Sequence, residues 1–178
     1  MTTMYNRILV ALDFPEPAVF EAALSIAEAT EANLLILHAI NERDANSPVS
    51  PIATAWDFET PMAEEAWKTY QKQWKAYAAK SLDILRDYTG RAEAVGVTAD
   101  FIQATNDPGR AICESAQTWK ADLIVMGTHQ RRGLQELLIG SVSNYVIHHA
   151  PCSVMVVALK HDQSESPIKA SVDAYQAA

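Results

Sequence analysis

The sequence has no long apolar run. Nothing in its 178 residues approaches the ~18–20 consecutive apolar positions that a membrane-spanning helix needs, although 49% of the residues are hydrophobic. That content is spread over short segments and is ample for a buried core. Cysteine is scarce: Cys113 and Cys152 stand alone and without metal-ligand spacing. They read as isolated, mostly buried thiols in a reducing compartment rather than as a disulfide. Positive charge is outnumbered, with 14 Lys and Arg against 22 Asp and Glu and a formal net charge of −8. This argues against general binding to nucleic acid or to an acidic membrane, and leaves a small anion free to bind a local nest of amides. Residues 1–6 show no basic n-region and no cleavage pattern, so no secretory signal and a cytoplasmic location are expected.

What is there is a series of short apolar runs separated by helical patterns. Residues 7–12 form a run suited to a strand buried on both faces, ending at Asp13. Phe14-Pro15-Glu16-Pro17 breaks it, and Val19, Ala22, Ala23, Ile26 and Ala27 then fall at helical spacing. Residues 33–40 make a second buried strand, completing a βαβ unit. The segment 41–61 is irregular, with Asn46-Ser47-Pro48, Ser50-Pro51, Trp56, Phe58 and Pro61; a loop of that length is often a lid or an interaction segment.

Residues 62–95 are helical and carry a stripe of Trp67, Tyr70, Trp74, Tyr77, Ser81, Leu82 and Leu85 at three- and four-residue steps, expected to pack on the sheet. A cofactor-stacking role for its tryptophans is the less favoured reading. Residues 97–104 alternate as a third strand nearer an edge, and Asp107-Pro108 caps and starts a helix running to about Lys120. Leu123-Ile124-Val125-Met126 and residues 153–157 are the fourth and fifth strands, and the chain from Lys160 is polar.

Five strands alternating with helices point to an open, parallel α/β sheet with helices on both faces. Such sheets bind ligands beyond the carboxyl ends of the strands, where the strand order reverses. By fold habit the order is 3-2-1-4-5, with the reversal between strands one and four, so that Asp13 and Gly127 face one crevice. Gly127 ends the fourth strand. Gly140 then opens a helix whose first amides, on Ser141, Val142 and Ser143, suit an anion together with the two hydroxyls. Either serine could instead simply cap the helix. No Gly-x-x-x-x-Gly-Lys-Ser/Thr loop occurs, and no carboxylate or histidine is compelled by spacing to sit beside a γ-phosphate. Hydrolysis of a bound nucleotide is therefore expected to be slow at most.

Residues 7–13, 107–116 and above all 122–157 resemble the universal stress protein family. The text that carries the likeness is Ala121-Asp122-Leu123-Ile124-Val125-Met126-Gly127-Thr128-His129, then Leu138-Ile139-Gly140-Ser141-Val142-Ser143, then His149-Ala150-Pro151-Cys152-Ser153-Val154. The resemblance implies an adenine nucleotide alpha hydrolase-like fold. It implies a domain over residues 5–158 with a long insertion at about 41–61 and a polar tail at 159–178. Nucleotide-binding members carry Gly, two residues, Gly, nine residues, Gly-Ser/Thr. Here Gly127 matches the first glycine and Gly140-Ser141 the last pair, while the middle position is Gln130. Glutamine cannot give glycine's close backbone approach, though its amide can donate a hydrogen bond. Gly133 restores some turn freedom without aligning to the missing glycine.

By the same resemblance Asp13 contacts the nucleoside, although it also suits a strand-end turn. Ala39 presents backbone to adenine, and Met126 and Thr128 line the ribose side. His129 is a candidate donor, and Arg131 and Arg132 could screen phosphates. His148 and His149, at a helix end, are not read as ligands. The implied ligand is ATP, with Mg2+ as an escort of the phosphates, or another adenine nucleotide. The implied partners are a second copy joined through the last strand at residues 154–157 and an unidentified protein, with no nucleic acid and no membrane. The alternative is a family member that binds no nucleotide and serves as a dimeric interaction module; Gln130 keeps that reading open.

Overall fold

The computed structural model describes residues 5–14, 16–41, 47–51, 61–128 and 140–158. Its elements in chain order are β1 (Arg7–Ala11), α1 (Pro17–Thr30), β2 (Asn33–Ala39), α2 (Pro61–Ala94), β3 (Ala99–Ala104), α3 (Pro108–Trp119), β4 (Leu123–Thr128), α4 (Ser141–His149) and β5 (Ser153–Ala158). The five strands form one sheet in the order β3-β2-β1-β4-β5, and every neighbouring pair is parallel. This is the open sheet expected from the alternation of strand and helix patterns.

Parallel strands covered on both sides need apolar residues at successive positions rather than alternate ones. In β1, Ile8 and Val10 join a core with α1 and α2 on one face, while Leu9 and Ala11 join a core with α3 and α4 on the other. The same alternation divides β4, whose Leu123 and Val125 face α1 and whose Ile124 and Met126 face α3 and α4. Ile8, Leu9, Val10, Ile124 and Val125 are fully buried, and each contributes roughly 1.5–3 kcal/mol by leaving water.

The start of β1 is pinned by a carboxylate. Asp122 Oδ2 accepts the amides of Asn6 and Arg7, both at 2.9 Å, and the Asp122 amide donates to the Arg7 carbonyl at 2.8 Å. Helix α3 begins as its sequence indicates: Asp107 Oδ1 accepts the Arg110 amide at 3.1 Å and Pro108 occupies the first turn.

Helix α2 departs from its expected packing. At 34 residues it is roughly 51 Å long by the usual rise per residue, far longer than a six-residue strand. Its second half packs on the sheet through Leu82, Leu85, Tyr88 and Ala92. There Arg91 lies over the rings of Phe20 and Tyr88 and pairs with Glu21 of α1. Trp67, Tyr70, Trp74 and Tyr77 belong to neither core. They are half-buried and contact one another along the helix, with ring centroids 5.5–6.1 Å apart. The period identified one face correctly, but the sheet ends before the stripe does.

Trp56 and Phe58, with the rest of 42–46 and 52–60, lie outside the described residues, as does the tail from 159.

Candidate functional site

The order of strands places the reversal between β1 and β4, so their carboxyl ends open side by side. The last paired positions there are Ala11 and Met126. β1 stops at Ala11, and the chain passes through Leu12 to an exposed Asp13. β2 runs two residues beyond its last pairing with β1, Ala11 with Leu37, and ends at the buried Ala39. The backbone of Ala39 thus borders the crevice on the β2 side. Met126 and Thr128 are buried, at 4% and 3% exposure. The Met126 side chain belongs to the core beneath α3 and α4, so only its backbone reaches the strand-end rim.

Gly127 and the start of α4 are tied together. Ser143, itself buried, donates its hydroxyl proton to the Gly127 carbonyl at 3.2 Å. That hydroxyl is therefore committed to holding α4 against β4, and of the two serines only Ser141 is exposed at the helix start. Gly140 is the N-cap residue, with φ −59° and ψ 162° and no side chain to cap the helix. The first α4 amide to bond within the helix is that of Asn144, which donates to the Gly140 carbonyl at 2.8 Å. The amides of Ser141, Val142 and Ser143 have no acceptor inside the helix, and the helix dipole adds partial positive charge there. Val142 turns its side chain to the core beneath α4.

The crevice also contains two residues that the sequence pattern does not single out. Glu16, the N-cap residue of α1, is only 4% exposed and does not cap its own helix. Its Oε2 accepts the Asp13 amide at 3.0 Å. Its other oxygen lies 2.9 Å from where a β-carbon on Gly127 would stand. His38, 3% exposed on β2, has Nδ1 at 2.8 Å from the Leu12 carbonyl. A carbonyl only accepts, so Nδ1 carries the proton. Phe14 packs at a tilt against the His38 ring, centroids 4.2 Å apart, and stacks on Tyr88 at 5.8 Å. The available signals were an acid in a helix N-cap slot before a proline, three residues after Asp13, and one histidine inside an apolar strand.

Of the residues expected at the site, Asp13, Gly127, Gly140, Ser141, Val142 and Ser143 are thus drawn to one crevice, with Ala39, Met126 and Thr128 at its borders. His129, Gln130, Arg131, Arg132 and Gly133 lie outside the described residues. Among the described residues no three His, Cys, Asp or Glu side chains gather as a metal cluster, and no helix is long and apolar enough to cross a membrane. The thiols of Cys113 and Cys152 are both free, and burial raises the pKa of each above the ordinary value. Both are held neutral, unlike activated nucleophiles.

A parallel sheet with this strand order, with Gly127 and the start of α4 at its reversal point, has the open α/β architecture whose ligands bind beyond the carboxyl ends of the strands. The family model described as the universal stress protein family matches residues 4–158, and the chain belongs to that family. It is 31% identical over 160 residues to universal stress protein Sll1388 of Synechocystis, covering 86% of this chain and 97% of that protein. The solved structure of universal stress protein UspA from Lactobacillus plantarum is similar at a TM-score of 0.64 and 26% identity, covering 86% of this chain and 97% of that one.

Two further solved family members share the fold. One, in complex with cAMP, has a TM-score of 0.58 at 23% identity, covering 86% of this chain and 97% of its own. The other, from Arabidopsis thaliana with AMP bound, has a TM-score of 0.54 at 20% identity, covering 91% and 97%.

Proposed function

We propose that the chain binds an adenine nucleotide, ATP or a relative of it, in the crevice between the ends of β1 and β4. The observation that carries this reading is the bond from Ser143 to the Gly127 carbonyl. It holds three helix-start amides beside the strand end where the sheet order reverses. Amides at such a terminus bind phosphate oxygens without lysine or metal. Asp13 on the neighbouring strand end would take the nucleoside, and the Ala39 backbone would meet the base. The AMP and cAMP carried by two structural neighbours support the class of ligand. Magnesium would enter with the phosphates rather than on a site built by side chains. No carboxylate or histidine is compelled by its sequence spacing to sit beside a γ-phosphate, so the nucleotide would act as a bound signal, hydrolysed slowly at most.

The signal would be read in a cytoplasmic homodimer formed through β5, and passed on to a protein partner. β5 pairs with β4 and, among the described residues, with no other strand, and its Met155 is 40% exposed. An uncovered edge of this kind favours pairing with a second chain. Sedimentation of the purified protein is expected to give twice the 19.5 kDa chain mass.

The test of binding is to denature freshly purified protein and chromatograph the supernatant. Stoichiometric adenine nucleotide is expected. An empty preparation that shows no thermal shift with ATP and magnesium would refute the reading. It would favour a dimeric interaction module without nucleotide, for which Gln130 in place of the middle glycine is the specific observation.

A further inference from the structure

Burying a carboxylate and an imidazole is costly unless their hydrogen bonds are made. Glu16 and His38 are both buried at the crevice, and they grip the same peptide group. That group joins Leu12 to Asp13: its carbonyl accepts a hydrogen bond from His38 Nδ1–H at 2.8 Å, and its amide donates to Glu16 Oε2 at 3.0 Å. A peptide group is planar, so holding both poles fixes its orientation and with it the direction in which Asp13 leaves the strand. The residue that follows, Phe14, is held in turn by its tilted contact with His38 and its stack on Tyr88. Glu16 meanwhile reaches across to β4, where its other oxygen lies 2.9 Å from where a β-carbon on Gly127 would stand. One buried carboxylate thus spans the two strand ends that border the crevice.

We propose that Glu16 and His38 are positioning residues for ligand binding, which hold the exposed Asp13 carboxylate at a fixed distance from the Gly127 end of the site. The proposal rests on the adenine-nucleotide reading given above. Neither residue need touch the nucleotide; they act through the Leu12–Asp13 peptide.

The test is calorimetric titration of the full chain with AMP and with ATP, for wild type, Glu16→Ala, Glu16→Gln, Asp13→Ala and the Asp13→Ala/Glu16→Ala double variant. Loss of a charged hydrogen bond should weaken binding about tenfold in Glu16→Ala. Glutamine still offers an oxygen to the Asp13 amide, so Glu16→Gln should stay within about threefold of wild type. In the Asp13→Ala background, Glu16→Ala should cost nothing further, because its effect passes through Asp13. Equal weakening with and without Asp13, or Glu16→Gln as weak as Glu16→Ala, would overturn the proposal.

Amide hydrogen exchange followed by NMR supplies a second measurement that does not depend on ligand. The Asp13 amide should exchange slowly in wild type and in Glu16→Gln. Fast exchange of that amide in wild type would overturn the clamp even if the alanine variant failed to fold. If wild type bound neither nucleotide while its Asp13 amide exchanged slowly, the binding reading alone would fall and the clamp would stand.

Discussion

Gly127 and Gly140 border the same crevice, and a β-carbon added to each would meet different surroundings. At Gly127 it would lie 2.9 Å from Glu16 Oε1 and 3.1 Å from Val19 Cγ2, inside the protein's own packing. At Gly140 it would meet nothing within 4 Å among the described residues, and the backbone there has an ordinary negative φ. The first glycine is therefore required by the fold, because a buried carboxylate passes against it. Nothing among the described residues requires the second, so its small size is available to a ligand. Two glycines of one sequence motif thus answer to different constraints, and a substitution can tell stability from binding.

The largest expected effect is on binding. Gly140→Val should abolish ATP affinity, measured by calorimetry, with the thermal midpoint close to that of wild type. Unchanged affinity in a folded variant would move the phosphates away from α4.

The converse substitution tests the other side. Gly127→Ala should destabilise the chain by about 1–3 kcal/mol in urea unfolding, as overpacking in a close-packed region does. Combining it with Glu16→Ala should recover part of that loss, since the nearer of the two clashes is removed. Full additivity would mean that the carboxylate is not what excludes a side chain there.

The two serines extend the comparison at smaller scale. Ser143→Ala leaves the Gly127 carbonyl without its hydroxyl donor and should cost about 1–2 kcal/mol of stability. Ser141→Ala, at an exposed position, should change stability by less than about 0.5 kcal/mol and act on nucleotide affinity instead.

The smallest effect belongs to the thiols, which sit against the core beneath α3 and α4. Burial raises the pKa of Cys113 and Cys152 above the ordinary 9.0, so alkylation of native protein at pH 8 should be slower than that of a free thiol. The folded state holds these protons more tightly than the unfolded chain. Their contribution to stability is therefore complete below pH 9 and declines as the pH rises beyond it. Native protein alkylated as fast as unfolded protein would contradict their burial.

Much of the architecture was legible from residues 7–12, 33–40 and 123–126. Each is a continuous apolar run of strand length, and only a sheet covered on both faces can bury every side chain of such a run. Gly127 and Gly140-Ser141 were legible for a related reason: a strand ending in glycine and a glycine opening a helix are local backbone events. The α2 stripe was half legible. Three- and four-residue spacing says that Trp67 and Leu85 share a face, and says nothing about where the surface opposite that face ends.

Glu16 shows where local reading stops. Between two prolines it reads as part of a strand break. Its backbone angles, φ −127° and ψ 65°, instead aim the side chain away from its own helix. That its other oxygen then lies against Gly127 depends on β1 and β4 lying side by side.

The sequence by itself determined the class of sheet, the family, and the two glycines at the crevice, because hydrophobic period and turn chemistry are properties of neighbouring residues. The tertiary structure alone decided that Gly127 is small for the sake of Glu16, that the Ser143 hydroxyl is bound to the Gly127 carbonyl, and that His38 and Glu16 hold the peptide of Asp13. Apart from the bond of Glu16 to the nearby Asp13 amide, those contacts join residues on separate strands and helices, and their distances exist only once the sheet has set the order of its strands.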